Sequence, residues 1–145
     1  MTEPVDVLLV EDQAHDAELA LRAFNQLNLG KNVSVVRDGA AALDFIFGRG
    51  AYEGRSVDDL PTLILLDLKL PKVSGLEVLS TLKSDERTRH IPIIALTSSR
   101  EGCDVTECYD LGVNSYVVKP VDFEAFTEAI QEIATYWLTL NEEPC

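Results

Sequence analysis

Short apolar runs that alternate with helical patterns constrain the fold of this chain more than any other feature. Five runs of four to six residues lie at Val5–Val10, Val33–Val36, Thr62–Asp67, Pro92–Thr97 and Ser115–Lys119. Such runs are typical of strands buried on both faces of a parallel sheet. The strict βα alternation predicts an α/β fold with helices on both faces. Right-handed crossovers favour a doubly wound five-stranded sheet of order 2-1-3-4-5, a flavodoxin-like three-layer sandwich.

Helical spacing of apolar residues predicts five helices, at about 13–28, 40–47, 75–84, 101–111 and from residue 122 onward. Ser74 and Glu77 form a capping box at the third helix, and Gly30 ends the first. The stretch Gly48–Leu60 is rich in glycine and charge, which predicts an extended surface loop. The last helix carries a core stripe formed by Phe126, Ile130, Ile133 and Trp137.

Length and charge limit the classes of protein that fit. The 145 residues suit one domain, which we expect to span 1–145 with a core at about 5–138 and no output domain. A net charge of −13 argues against nucleic acid and anionic membrane surfaces as partners. No apolar run reaches membrane length, and the polar, acidic start is unlike a signal peptide. We therefore expect a cytoplasmic protein.

The cysteines Cys103, Cys108 and Cys145 are odd in number, and no pair has the spacing of a zinc site. Free thiols in a reducing cytoplasm are the expected state. A redox switch or an intermolecular disulfide through Cys145 is the alternative.

Polar residues with shared chemistry follow four of the predicted strands. Glu11 and Asp12 follow the first, Asp67 ends the third, Thr97 ends the fourth and Lys119 ends the fifth. In the predicted order the first and third strands are neighbours, so the ligand crevice lies between them. Two like charges about 4 Å apart at an effective dielectric of about 20 repel by about 4 kcal/mol. An all-oxygen pocket of this kind suits Mg²⁺, with Mn²⁺ or Ca²⁺ as alternatives.

These residue types together provide what phosphoryl transfer needs. They supply a nucleophilic carboxylate, a metal to shield the phosphoryl charge, and an ammonium and a hydroxyl to bind its oxygens. Each residue also has a simpler interpretation. Glu11 and Asp12 could cap a helix, Asp67 and Lys119 could be solvated, and Thr97 could cap a turn. The combination at four strand ends favours the phosphoryl-transfer site.

On these residues the chain resembles the receiver domain of bacterial two-component response regulators. The matching positions are Glu11-Asp12, Asp67 with Pro71 and Gly75, Thr97-Ser98, and Lys119-Pro120. Further stretches are similar to single-domain regulators that partner phytochrome-type histidine kinases: Ala42–Phe45, Gly48–Gly50, Leu68–Pro71 and Leu111–Tyr116.

The resemblance implies a role for each matching residue. Asp67 would accept a phosphoryl group from a phosphohistidine of a sensor histidine kinase. Glu11, Asp12, Asp67 and the backbone carbonyl of Lys69 would hold Mg²⁺. The residues Thr97 and Lys119 would contact the phosphoryl oxygens, Ser98 would leave the site open, Tyr116 would swing inward on activation, and the peptide before Pro120 would be cis. The protein would then be a signalling phosphoacceptor that catalyses only its own phosphorylation and dephosphorylation, acting on a downstream protein that the sequence does not identify.

The C-terminal stretch Tyr136–Leu140 is more apolar than one helix face requires. Core packing with a frayed end is one interpretation, and a homodimer contact through Tyr136, Trp137 and Leu140 is the other.

Two rival functions use a similar sheet. A phosphatase of the haloacid dehalogenase type needs an aspartate two residues after its nucleophile, where this chain has Lys69. A flavodoxin-like mononucleotide binder needs a phosphate-binding loop after the first strand, where this chain has Glu11 and Asp12.

Overall fold

A computed structural model describes residues 6–27, 32–55, 59–98 and 102–142. Its sheet has five parallel strands in the order β2-β1-β3-β4-β5, which confirms the predicted doubly wound topology. The strands are β1 (Val7–Val10), β2 (Val33–Val36), β3 (Leu63–Leu66), β4 (Ile93–Thr97) and β5 (Ser115–Val118).

Five α-helices alternate with the strands as predicted: α1 (Ala14–Leu27), α2 (Gly39–Phe47), α3 (Gly75–Ser84), α4 (Gly102–Asp110) and α5 (Phe123–Thr135). Side chains at the first residue before a helix fix three of the starts. Asp38 accepts from the Ala41 amide at 2.7 Å, and Ser74 accepts from the Glu77 amide at 3.2 Å. Asp122 begins α5 in the same way. Each cap satisfies a helix N–H group that has no intrahelical partner.

Alternate residues of the strands face two apolar layers. On one side Leu8, Val10, Ile64 and Leu66 pack with α2 and α3. On the other side Val7, Leu9, Leu63 and Leu65 pack with α1 and α5. The side chains of β1 and β3 are at most 2 % exposed, because helices cover both faces of the sheet.

The stretch that was predicted as an extended loop is more ordered than expected. A short 3-10 helix covers Gly50–Tyr52, and the Arg55 guanidinium lies 4.0 Å from the centre of the Phe45 ring. Arg55 also donates to the Phe45 carbonyl at 3.3 Å. Cation–π contact and hydrogen bonding thus hold this segment against α2. Residues 56–58 of the stretch lie outside the described part.

The C-terminal stripe is buried at Phe126, Ile130 and Ile133, as predicted. Trp137 is only partly buried and packs against the same layer from a π-helical turn, Tyr136–Leu140. The predicted end of α1 at Gly30 lies outside the described residues. Within the described ranges, no helix is long and apolar enough to cross a membrane.

Candidate functional site

Sheet topology brings the predicted acidic residues together. Val10 pairs with Leu66 in the register of β1 and β3, so Glu11 and Asp67 follow neighbouring strand ends. The Asp67 amide donates to the Val10 carbonyl at 3.0 Å and extends this pairing by one residue. Glu11, Asp12 and Asp67 each offer a carboxylate oxygen, and these oxygens lie within 4.8 Å of one another.

Burial and backbone contacts fix two of these carboxylates. Glu11 is 2 % exposed and Asp67 is 5 % exposed, whereas Asp12 faces solvent. An oxygen of Asp67 accepts from the Lys69 amide at 3.0 Å, and an oxygen of Glu11 accepts from the Gln13 amide at 3.1 Å. Each buried carboxylate keeps a second oxygen for the centre of the site.

Lys119 brings the positive charge that the sequence predicted. Its amide donates to the Thr97 carbonyl at 2.7 Å, which continues β5 beside β4. Its Nζ donates to Glu11 Oε1 at 2.6 Å, Asp16 Oδ2 at 2.9 Å and Asp67 Oδ2 at 3.3 Å. The ammonium therefore joins the first, third and fifth strand ends across the site.

The electrostatics of the cluster follow from burial and charge. Burial raises the pKa of Glu11 to about 7 despite its hydrogen bond from Lys119, and repulsion by Asp67 adds to the rise. Burial alone lowers the pKa of Lys119, but its bonds to Glu11 and Asp16 raise that pKa overall. The acidic side chains of Glu11, Asp12, Asp16 and Asp67 outnumber the one ammonium, so the site attracts cations.

An open cleft of about 390 Å³ lies above these groups. Its lining includes Asp12, Asp16, Asp67, Lys69, Ser98 and Lys119. Thr97 is fully buried at the end of β4, and Ser98 next to it is exposed. Tyr116 is partly buried, packs against the apolar layer of α2 and α3, and is not among the cleft residues. Tyr136, Trp137 and Leu140 are likewise absent from its lining.

Close packing behind the cleft requires a glycine at the start of α3. A Cβ at Gly75 would lie 2.5 Å from both the Asp67 carbonyl oxygen and the Leu68 Cα. The Gly75 amide also donates to the Leu68 carbonyl at 3.0 Å. Gly75 thus lets α3 approach the backbone that presents Asp67.

One sequence prediction at the site is wrong. The described residues contain no cis peptide bond, so the Lys119–Pro120 peptide is trans. A peptide before proline favours trans by about 0.5–1 kcal/mol, and Lys119 reaches the three carboxylates with the bond in this form.

Asp16 is the site residue that sequence reasoning missed. It lies in the first turn of α1, four residues after Asp12, and its side chain is 22 % exposed. An acidic residue one helical turn beyond the Glu11-Asp12 pair was the available signal, because that spacing returns a side chain toward the same region.

The donor set fits a hard divalent cation. Glu11, Asp12 and Asp67 supply carboxylate oxygens, which are the ligands that Mg²⁺, Mn²⁺ and Ca²⁺ take in proteins. A cation here would compete with Lys119 for the oxygens of Glu11 and Asp67.

Comparison with protein families agrees with the fold and the cluster. The model of the response regulator receiver domain matches residues 7–131. The chain belongs to this family, whose members are typically signalling domains rather than conventional enzymes.

Two curated relatives match the chain over most of their length. The probable methanogenesis regulatory protein FilR2 of Methanothrix harundinacea is 45% identical over 142 residues, which cover 98% of this chain and 89% of that protein. The response regulator Rcp1 of Synechocystis is 36% identical over 135 residues, which cover 93% of this chain and 90% of Rcp1.

Solved structures support the same assignment. The Mn²⁺-bound form of Rcp1 has a TM-score of 0.90 at 35% identity, covering 98% of this chain and 100% of that one. The phosphorylated cyanobacterial phytochrome response regulator RcpA has a TM-score of 0.90 at 34% identity, covering 99% and 100%. The bacteriophytochrome response regulator AtBRR is 50% identical with a TM-score of 0.74, covering 97% and 100%.

Proposed function

We propose that this protein is a phosphorelay response regulator that accepts a phosphoryl group on Asp67 from a sensor histidine kinase. One observation carries the proposal: the buried Asp67 carboxylate lines an open cleft, lies close to the carboxylates of Glu11 and Asp12, and accepts from the ammonium of Lys119. This combination positions a nucleophile, neutralises incoming negative charge and leaves room for a phosphoryl donor.

The transfer itself needs little chemistry from the protein. An oxygen of Asp67 attacks the phosphorus of the phosphohistidine, the bond between phosphorus and the imidazole nitrogen breaks, and the neutral imidazole leaves after taking up a proton. The Lys69 amide holds one oxygen of Asp67 and so orients the carboxylate for attack. Transfer of the phosphoryl group from Asp67 to water would complete the cycle. The chain would then catalyse only its own phosphorylation and dephosphorylation.

Glu11, Asp12, Asp67 and the carbonyl of Lys69 would hold Mg²⁺, with Mn²⁺ or Ca²⁺ as substitutes. A cation there would neutralise the charge that collects on the phosphoryl oxygens. The close spacing of the three carboxylates supports this assignment, as does the Mn²⁺-bound form of the similar Rcp1.

Lys119 and Thr97 would contact the phosphoryl oxygens and transmit the change. Thr97 ends β4 beside Lys119, and Tyr116 lies on β5 opposite Ala95. Movement of Thr97 toward the phosphoryl group would open space for Tyr116 and alter the surface around β5. Ser98, small and exposed at the rim, would leave access for a kinase or phosphatase.

A phytochrome-type histidine kinase is the proposed donor, with light as the signal. The similar proteins RcpA, a cyanobacterial phytochrome response regulator, and AtBRR, a bacteriophytochrome response regulator, support this choice. We place the relay in the cytoplasm, without nucleic acid or membrane as a partner, and its output in contact with another protein.

We further propose that the chain forms homodimers through Tyr136, Trp137 and Leu140. Tyr136 is 48% exposed and Leu140 is 69% exposed, although both are large and apolar. Trp137→Ala, or truncation after Ala134, is expected to weaken self-association in sedimentation at micromolar concentration. A wild-type chain that sediments as a monomer, or a folded variant that sediments like a dimeric wild type, would contradict this interface.

No observation supports the two rival functions. The residue two positions after Asp67 is Lys69, which cannot serve as the acid of a dehalogenase-type phosphatase. The turn after β1 presents the carboxylates of Glu11 and Asp12, which would repel a nucleotide phosphate.

Incubation with acetyl phosphate and Mg²⁺, followed by intact mass measurement, tests the proposal. The wild type should gain one base-labile phosphoryl group, and Asp67→Asn should gain none. Asp59→Asn is a matched control, because Asp59 is exposed and is not among the residues that line the cleft. Labelling of Asp67→Asn, steady turnover of a phosphatase substrate, or a bound flavin spectrum would overturn the proposal.

A further inference from the structure

The ammonium of Lys119 is enclosed by carboxylates. A lysine ammonium has three N–H donors, and Glu11, Asp16 and Asp67 lie at 2.6, 2.9 and 3.3 Å from Nζ. The Lys119 side chain is only 9% exposed. Each donor therefore has a carboxyl oxygen as its acceptor, and little water is available to replace one that is lost.

The three acceptors differ in what else they would do. The oxygens of Glu11 and Asp67 belong, with Asp12, to the cluster whose atoms lie within 4.8 Å of one another. Both carboxylates would bind a cation, and Asp67 would also carry the phosphoryl group. Asp16 contacts Lys119 but stands outside that cluster, so it can keep its ion pair while the other two are occupied.

The fold holds Asp16 firmly at the rim. The residue lies in the first turn of α1, where the helix dipole favours a carboxylate. The next turns of α1 bury Ala20, Ala23 and Phe24 in the layer shared with α5. Lys119, in contrast, has a flexible four-carbon stem that needs a fixed partner to stay in one place.

We propose that Asp16 is a positioning residue that keeps Lys119 Nζ beside Asp67 when Mg²⁺ and the phosphoryl group occupy Glu11 and Asp67. The inference rests on the proposed phosphoryl acceptor function. Without Asp16, the ammonium would lose its last carboxylate at the moment when the phosphoryl oxygens need it.

Proton exchange at the Lys119 ammonium tests this with Mg²⁺ alone. In NMR spectra that detect lysine Nζ–H groups, the wild type should keep its Lys119 signal when Mg²⁺ is added. Asp16→Ala should show the signal without Mg²⁺, because Glu11 and Asp67 still accept, and lose it with Mg²⁺. A signal that survives Mg²⁺ in Asp16→Ala, or that disappears in the wild type, would overturn the inference.

Labelling kinetics with acetyl phosphate supply the second measurement. Loss of one charge-assisted contact should slow Asp16→Ala about tenfold, while Asp16→Asn, which can still accept a hydrogen bond, should be slowed less. Glu18→Ala is the control, because Glu18 is exposed on the same helix and forms its ion pair with Arg22 rather than with Lys119. In a Lys119→Met background Asp16→Ala should have no further effect.

The outcomes separate the two levels of the account. A wild type without labelling on Asp67 would overturn both the proposed function and this inference. A labelled wild type with an equally fast, folded Asp16→Ala would overturn the positioning role alone. An equal slowing by Asp16→Ala with and without Lys119 would also contradict it. If Asp16→Ala fails to fold, Asp16→Asn decides between the same outcomes.

Discussion

Replacing Glu11 by glutamine should change how the stability of the metal-free protein depends on pH. Glu11 is 2% exposed, and burial raises its pKa to about 7 from 4.5. Between these two pH values the folded state keeps a proton that the unfolded state has released, so the free energy of unfolding falls as pH rises. At about 1.4 kcal/mol per pH unit of pKa difference, ionisation of Glu11 costs the folded protein about 3 kcal/mol.

Urea unfolding in the presence of a chelator, from pH 4.5 to pH 8, measures this effect. As pH rises across this range, the free energy of unfolding of Glu11→Gln minus that of the wild type should increase by up to about 3 kcal/mol. Glu18→Gln, an exposed change of the same charge, should follow the wild type at every pH. Added Mg²⁺ should stabilise the wild type more than Glu11→Gln at pH 8. If the difference in free energy of unfolding between Glu11→Gln and the wild type stays constant with pH, the pKa of Glu11 is not raised in the folded protein.

Two other changes test the packing around the site. Gly75→Ala should destabilise the protein by about 1–3 kcal/mol and slow labelling of Asp67, because the added Cβ would displace the backbone around Asp67 and Leu68. Urea unfolding measures the loss, and the control Thr81→Ala, at an exposed position, should show no comparable loss. A Gly75→Ala variant that is as stable and as quickly labelled as the wild type would contradict the close approach. Burial raises the pKa of the Cys108 thiol to about 11, so a maleimide at pH 7 should leave Cys108 unmodified in the native protein and modify it in urea. Modification of native Cys108 would show that this thiol is accessible.

Of the three thiols, only that of Cys108 lies within the described residues, where it is buried and free. The side chain of Cys103 and the whole of Cys145 lie outside the described residues, so the disulfide alternative for Cys145 stays a hypothesis.

Sheet order and strand ends were predictable because burial on two faces leaves a strong sequence pattern. Leu63–Leu66 has four apolar residues in succession, which is typical of a central parallel strand, and Asp67 follows directly. The topology then determines that Glu11 and Asp67 are neighbours. Helix starts at Asp38, Ser74 and Asp122 were marked locally by their caps.

Contacts between distant segments were not predictable in the same way. Asp16 and Lys119 are 103 residues apart, and their ion pair depends on the packing that brings the start of α1 beside the end of β5. The local spacing indicated only that Asp16 lies near Glu11 and Asp12. The stretch after α2 is ordered by the contact of the Arg55 guanidinium with the Phe45 ring. The glycine and charge pattern that predicted a loop gives no indication of this contact. The cis peptide at Pro120 was expected from the family resemblance alone. The peptide is trans, so the resemblance predicted this feature wrongly.

Chemical identification of the acceptor residue tests the phosphorylation of Asp67 most directly. The protein is incubated with a phosphorylated histidine kinase and Mg²⁺, reduced with borohydride, which converts an aspartyl phosphate to homoserine, and mapped by peptide mass. We expect homoserine at position 67 and nowhere else, and we expect its formation to require the divalent cation. An unmodified Asp67, or homoserine at Asp12 or Asp16 instead, would contradict it.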